Sequence, residues 1–217
     1  MSITSLKFPF FVAFIAVVYY IIPKKFQWIW LLIISSGFYL NLSRHLCVYL
    51  AITIVSVYWL GLVMEQWEGQ HKEKLALLKA GKIEGDRKQL KAANKKRKNK
   101  LIWACVILNL GMLVFLKFYN LIAEELNVRF GTGGIPILNL VLPLGISFYT
   151  FQAIGYLVDV YRGKQQAEHN FFRFALFMCF FPQMIQGPIS RYHQLSPQFV
   201  EEHFFDYHKV CQGFQLF

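Results

Sequence analysis

Six apolar stretches dominate this chain: Leu6–Ile22, Phe26–Leu42, Leu46–Met64, Leu101–Ile122, Leu138–Tyr161 and Phe171–Ile189. Each approaches the roughly 20 residues that a helix needs to cross a bilayer, allowing for tilt and soft ends. The first is short, and the connections to the second and third are a few residues long, so these three are expected as antiparallel neighbours. A soluble domain of 217 residues rarely tolerates 56% hydrophobic residues with only 16% charged and a mean hydropathy of +0.38. The 22 Phe, 11 Tyr and 5 Trp suit lipid-facing surfaces and interfacial belts. The expected fold class is an all-α multispanning membrane protein. Phe8–Ile22 precedes Pro23-Lys24-Lys25 and no small-residue cleavage site follows, so it reads as a retained span rather than a removed signal peptide.

The charge is as uneven as the hydropathy. Of a formal net charge of +11, residues Glu65–Lys100 hold 12 Lys/Arg against five Asp/Glu. The chain therefore divides into three spans over 1–64, a basic loop over 65–100, and further spans over 101–217. Within the loop, Gln70–Ala80 reads as a short amphipathic helix stopped by Gly81, and Asp86–Lys98 as a second, basic one. Placing this loop in the cytoplasm puts the N-terminus and Arg44-His45 outside. It puts Lys24-Lys25, Arg162 and Lys164 inside, as the Lys/Arg bias of cytoplasmic loops requires. The basic run Lys95–Lys100 has no interleaved aromatics, which argues against nucleic acid and for contact with membrane lipids or attraction of an acidic donor.

In Leu142–Gly163, LPLGISFYTFQAIGYLVDVYRG, an apolar segment carries Gly145, Tyr149, Gln152, Tyr156 and Asp159. At helical spacing these five share an arc of roughly 80°, with Phe151, Ile154, Leu157 and Val158 facing the other way. An intramembrane carboxylate is costly, so Asp159 is expected to face a bundle interior or a wet cavity. Its alternatives are a tunnel-mouth carboxylate or an ion pair with Arg162, three residues on. Tyr149, Gln152 and Tyr156 read either as tunnel-lining hydrogen bonders or as glue between helices. The sixth segment contains FFPQMIQGPISRY, Phe180–Tyr192, with Pro182 and Gly187-Pro188 flanking Gln183 and Gln186. A continuous helix is doubtful there, and a kinked or re-entrant segment is expected, with Arg191 on the cytoplasmic side. Gly131-Thr132-Gly133-Gly134 is an outside turn rather than a phosphate loop.

These two motifs, in this order and with their spacer, resemble the membrane-bound O-acyltransferase family, and within it the alginate O-acetyltransferase-like branch. The resemblance implies a funnel-shaped bundle around a tunnel. An acyl group from a cytoplasmic donor, with acetyl-CoA the expected one, would reach a hydroxyl of an exported polysaccharide. Extracytoplasmic acetylation partner proteins would finish the transfer. It also implies a plasma-membrane location and a catalytic His downstream of Phe180–Tyr192. No residue here matches that His, so the chain reads as the N-terminal part of a longer enzyme, a truncated product or a partial gene model. The residues expected to line the tunnel or contact substrate are Tyr149, Gln152, Tyr156, Asp159, Arg162, Gln183, Gln186 and Arg191.

The histidines supply no obvious base. His45 and His71 sit in connections and His169 in a polar turn. His193 beside Arg191 is either a cofactor-phosphate contact or an interfacial structural residue, and His203 and His208 do not share a helical face. Cys47, Cys105, Cys179 and Cys211 form no C-x-x-C pair, and neither a disulfide nor a metal cluster is expected. Ser147 has no base placed to activate it. Two rival classes are a transporter or flippase for a lipid-linked sugar or small anion, marked by the broken helix, and a non-catalytic remnant.

Overall fold

A computed structural model describes residues 7–42, 47–80, 86–130, 136–138, 145–186, 190–201, 204, 206–208 and 211–212. The Gly131–Gly134 turn, Gly187-Pro188, Arg44, His45 and His203 lie outside the described residues, as do the Gln186 side chain and most of Tyr207–Phe217.

Every regular element among the described residues is helical: α1 (Lys7–Ile21), a 3-10 turn (Lys24–Phe26), α2 (Gln27–Leu42), α3 (Cys47–Lys79), α4 (Arg87–Phe130), α5 (Ile146–Tyr161), α6 (Phe171–Cys179), α7 (Phe181–Gln186) and α8 (Tyr192–Val200). Pro23 ends α1. Its missing N–H would have served the carbonyl of Tyr19, four residues back. Gln27, buried at the start of α2, donates its Nε2 to that carbonyl at 3.1 Å. The turn between α1 and α2 is thus closed by the first side chain of the second helix.

The long basic insert is not a loop carrying two separate helices. α3 and α4 run unbroken out of their apolar stretches, through Lys79 and from Arg87 respectively. The portions beyond Glu65 and before Lys100 each measure about 20 Å. Arg97 stacks over Trp67, and Glu68 accepts hydrogen bonds from Lys98 Nζ at 3.0 Å and Asn94 Nδ2 at 3.3 Å. These contacts let the helices extend as a hairpin. The same polar residues that disguise the extension as a loop are its pairing groups.

Burial pushes the Glu68 carboxyl up, but the Lys98 hydrogen bond and the charges of Lys98 and Lys72 outweigh it and hold it below the ordinary carboxylate range. A depressed folded-state value means the contribution is present above the unfolded value and lost as pH falls through the folded one. Amide exchange along the hairpin should therefore quicken only below about pH 4, and Glu68→Gln should remove that dependence. Quickening between neutrality and pH 5 would contradict this account.

α5 begins at Gly145 (φ 72°), whose carbonyl accepts from Tyr149 N–H, and ends in a Schellman turn at Gly163 (φ 68°). In that turn Gly163 N–H bonds to Val160 O and Lys164 N–H to Asp159 O, both at 3.0 Å. Gly163→Ala would force a side chain into left-handed geometry and is expected to cost about 1 kcal/mol, read as a lowered unfolding temperature in detergent. An unchanged temperature would mean the turn relaxes. Asn170 caps α6, its Oδ1 accepting from Phe172 and Arg173 N–H at 3.0 and 3.2 Å.

α3, α4 and α5 pack on one another, α2 packs along α6, and α1 lies on α2. The core holds Tyr149, Tyr156, Phe174, Phe177, Leu157 and Leu176, each no more than 2% exposed. Outside it, Phe10, Ile21, Ile33, Trp59, Trp103, Ile107 and Leu121 are exposed. A soluble monomer rarely shows so much apolar surface, and α3 and α4 are long and apolar enough to cross a bilayer. This is a helical membrane protein. α1, α2 and α5 are 15, 16 and 16 residues long.

One end of the bundle collects the charges. Glu68 of α3 pairs there with Lys98 of α4, Lys98 and Asn99 bond Tyr161 of α5, and Glu65 meets His169 in the turn before α6. Arg173 approaches Trp28 of α2, and Lys24 sits over Phe204.

Candidate functional site: the polar end and the broken helix

The polar stripe of α5 faces the protein. Tyr149, Gln152, Tyr156 and Asp159 are 0%, 6%, 2% and 1% exposed. The buried arc is wider than the stripe, because Ala153, Leu157 and Val160 are buried too. Leu157, expected on the opposite face, is enclosed because α3, α4 and α6 all pack on α5. Phe148 and Phe151 remain on the outer side, 39% and 48% exposed.

Asp159 is paired, though not with its sequence neighbour. Arg191 Nη1 reaches both carboxylate oxygens, at 3.1 and 3.0 Å. Arg162, the expected partner, occupies the C-cap of α5 and is exposed. The Schellman turn redirects the chain there, leaving the carboxylate to a side chain 32 residues downstream. Arg191 is half exposed while Asp159 is sealed. The pair therefore places a compensated charge at the boundary between the bundle interior and its polar end.

Between α6 and α7 the helix breaks at Phe180 (φ −55°, ψ 107°). In an unbroken helix Phe181 N–H would bond Phe177 O. Here the two orphaned halves of that bond are taken by side chains from different helices. Gln152 Nε2 of α5 donates to Phe177 O at 2.9 Å, and Ser35 Oγ of α2 accepts from Phe181 N–H at 3.4 Å. Gln152 also reaches Gln183 Oε1 at 3.4 Å. Gln183 is buried, while Gln186 contributes only backbone to the described structure. The break falls before Pro182, whose ring nitrogen has no proton to offer the carbonyl of Met178.

Met184 lies against Gly145 at the start of α5, where an added Cβ would stand 3.5 Å from Met184 O. Arg191 meets Asp159 near the other end of the same helix. Tyr192 follows, in edge contact with Tyr156 and Phe177 at 5.1 and 4.9 Å.

Glu168 is the residue that sequence reasoning missed. Its Oε2 accepts from the Tyr192 hydroxyl, its Oε1 from Asn170 N–H at 2.8 Å, and its own N–H donates to Tyr156 Oη at 2.9 Å. One acidic residue in the turn before α6 thus ties α5, α6 and α8. Burial and the bond to Glu168 push the Tyr192 phenol above its ordinary value. Gly61 makes room: a Cβ there would lie 3.3 Å from the Tyr156 ring and hydroxyl. The signal in the sequence was faint, a single Glu among Gln165, Gln166 and Asn170.

The Tyr39 and Tyr149 hydroxyls face one another in the interior, without a hydrogen bond of ordinary geometry. Tyr39 also lines an apolar groove of about 700 Å³ between α2, α3 and α6, with Cys179 and Ser36 on its wall. A second, polar cavity of about 340 Å³ lies between α3 and the chain leaving α5. Neither is lined by Gln152, Tyr156 or Asp159.

Among the described residues no histidine is buried: His71 is partly exposed, and His169, His193 and His208 are exposed. His169 Nε2 meets Glu65 at 3.0 Å, and Tyr58 donates to the His169 carbonyl at 2.6 Å. No group of three potential metal ligands occurs among the described residues. The four cysteines are free thiols.

Fold and site together define an all-helical membrane protein with a sealed ion pair and a side-chain-repaired helix break at its polar end. No family model matches the chain, and no solved structure does. Curated relatives do match. A probable alginate O-acetylase of Pseudomonas aeruginosa is 41% identical over 97 residues, 43% of this chain and 19% of that protein. Its counterpart in Azotobacter vinelandii is 39% identical, with the same shares covered. A peptidoglycan O-acetyltransferase of Helicobacter pylori is 29% identical over 146 residues, 54% of this chain and 28% of that protein. Over the matched stretches the chain is thus similar to proteins named as probable alginate O-acetylases and as a peptidoglycan O-acetyltransferase. It spans less than a third of the length of each of these relatives.

Proposed function

We propose that this chain is part of a membrane-bound O-acyltransferase that carries an acetyl group from cytoplasmic acetyl-CoA towards a hydroxyl of an exported polysaccharide. The observation that carries this reading is the buried Asp159–Arg191 pair joining the two motifs through which the chain resembles the family. The relatives' names, alginate O-acetylase and peptidoglycan O-acetyltransferase, support the reaction class and an exported acceptor. Acyl transfer to a hydroxyl needs a base and donors for the developing oxyanion. No described histidine is buried, so this reading takes the base from elsewhere in the protein, and gives Asp159, Arg191, Gln152 and Gln183 the task of holding the wall of its tunnel. Tyr149, Tyr156, Gln186 and Arg162 keep their place in the proposal as neighbours of that wall.

The same reading sets the charged end in the cytoplasm, the N-terminus outside, and six apolar segments in the plasma membrane. The positions of Met184 beside Gly145 and of Arg191 on Asp159, at opposite ends of α5, support a re-entrant sixth segment. Partner proteins outside the membrane would complete the transfer. The test is acetyl transfer from labelled acetyl-CoA by membranes carrying the whole protein. A fall of at least tenfold is expected in Arg191→Ala, with the protein still present in the membrane. Undiminished transfer in that variant would remove the pair from the tunnel. Donor-independent uptake of a sugar or anion by proteoliposomes would favour a transporter instead.

A further inference from the structure

α4 sorts its cations by face. On the side turned to α3 and α5, Lys98 pairs with Glu68 and Arg97 stacks over Trp67. On the opposite side Lys95, Lys96, Asn99 and Lys100 are exposed, and they line an open groove along the helix that runs on into Trp103 and Ile107. Helical spacing puts all six in one outward stripe. None of the three lysines forms an ion pair among the described residues.

No carboxylate of α4 is in place to balance them, since the helix carries no Asp or Glu from Arg87 to Ala123. Glu65 and Glu68 of α3 and Asp159 of α5 are already matched, to His169, Lys98 and Arg191. Lys96 and Lys100 stand four residues apart and repel one another, so an anion on this stripe relieves a strain that the chain leaves in place. Asn99 is held from one side only. Tyr161 Oη of α5 donates to its Oδ1 at 2.6 Å, which leaves its Nδ2 to donate elsewhere. The exposed indole of Trp103 adds a further N–H donor.

What lies beyond the lysines selects the kind of anion. Immediately after Lys100 the helix becomes apolar, in the part of α4 that is long enough to cross a bilayer, and Trp103, Ile107 and Leu108 are exposed there. The stripe thus offers cations at the level of the headgroups, an aromatic at the interface and hydrocarbon beneath it. A soluble anion or an acidic polypeptide would use the upper part alone.

We propose that this outward face of α4 is a binding site for an anionic glycerophospholipid. Lys95, Lys96 and Lys100 hold its phosphate, Asn99 Nδ2 and the Trp103 N–H are neutral donors beside them, and an acyl chain lies along Trp103 and Ile107. The bound lipid holds α4 at one depth, at the point where the α3–α4 hairpin leaves the bilayer. The site goes beyond the acyltransferase reading and rests only on the chain being a membrane protein.

The experiment is competition for a fluorescent phosphatidylglycerol bound to the whole protein in neutral detergent, at about 0.15 M salt so that diffuse attraction is screened. Unlabelled phosphatidylglycerol should displace it, with phosphatidylcholine and glycerol phosphate at least about tenfold weaker. Lys95→Gln with Lys96→Gln and Lys100→Gln should weaken phosphatidylglycerol by about tenfold or more, because each lysine near a headgroup contributes several-fold. The same three positions changed to Arg keep the charge and should keep the binding. Lys74→Gln with Lys79→Gln and Lys88→Gln removes equal charge from exposed positions farther from the apolar span, and should change the affinity by less than about twofold. Trp103→Ala should weaken phosphatidylglycerol and leave glycerol phosphate unchanged.

Equal displacement by phosphatidylcholine would reduce the stripe to ordinary lipid contact, and equal displacement by glycerol phosphate to a free-phosphate site. Displacement by polyglutamate at matched charge would assign the face to an acidic protein. Each of these overturns the proposal. So would equal losses in the two triple Gln variants, because net charge alone would then hold the lipid. Acetyl transfer enters none of these measurements, so failure here leaves the acyltransferase reading where it stands.

Discussion

Arg191→Met will destabilise the protein by about 3 kcal/mol, the cost of leaving a buried carboxylate without its counter-charge. Asp159 is 1% exposed and both its oxygens depend on one guanidinium nitrogen. The partners are not equivalent. Arg191 is half exposed and reaches water when Asp159 is replaced, so Asp159→Asn should cost markedly less. Combining Asp159→Asn with Arg191→Met removes the stranded charge and should recover most of the loss. Thermal unfolding of the four proteins in one detergent measures this. Equal losses in both single variants, adding in the double, would show that the pair is solvated and that Asp159 is not sealed.

Gln152→Leu comes next, at about 2 kcal/mol. Hydrogen bonds between membrane helices are commonly worth about 0.6 kcal/mol, because the separated groups find other partners. Phe177 O is different. The break at Phe180 has taken its helical partner, and Gln152 Nε2 is its replacement at 2.9 Å. The larger orphaned-group figure therefore applies. Ser35→Ala should cost less, since its bond to Phe181 N–H is long at 3.4 Å. Hydrogen exchange around 177–184 should quicken in Gln152→Leu and barely move in Ser35→Ala. A stabilised Gln152→Leu protein would show that the Phe177 carbonyl finds another donor.

Much of this was legible from residues alone. Pro23 and Pro182 announced their breaks because a missing N–H is a local property. The α5 stripe was legible because helical spacing fixes which residues share a face before any neighbour is known. The length of α3 and α4 was obscured, because Gly81 and the dense charge between Glu65 and Lys100 look like a loop until Glu68, Asn94 and Lys98 are seen to pair across two helices. Leu157 was misjudged for a related reason. A polar stripe marks one buried edge, and only the packing of α3 and α4 shows where the other edge lies.

The sequence by itself determined that this is a helical membrane protein, where its charge sits, where its sixth segment breaks, and that Asp159 is buried. Each follows from hydropathy, proline geometry or helical period, which act over a few residues. Tertiary structure decided the partners: Arg191 rather than Arg162 for Asp159, Gln152 and Ser35 for the broken bond, Glu168 for Tyr156 and Tyr192. A partner is chosen by where the chain returns in space, and at separations of 12 to 146 residues no local preference encodes that return.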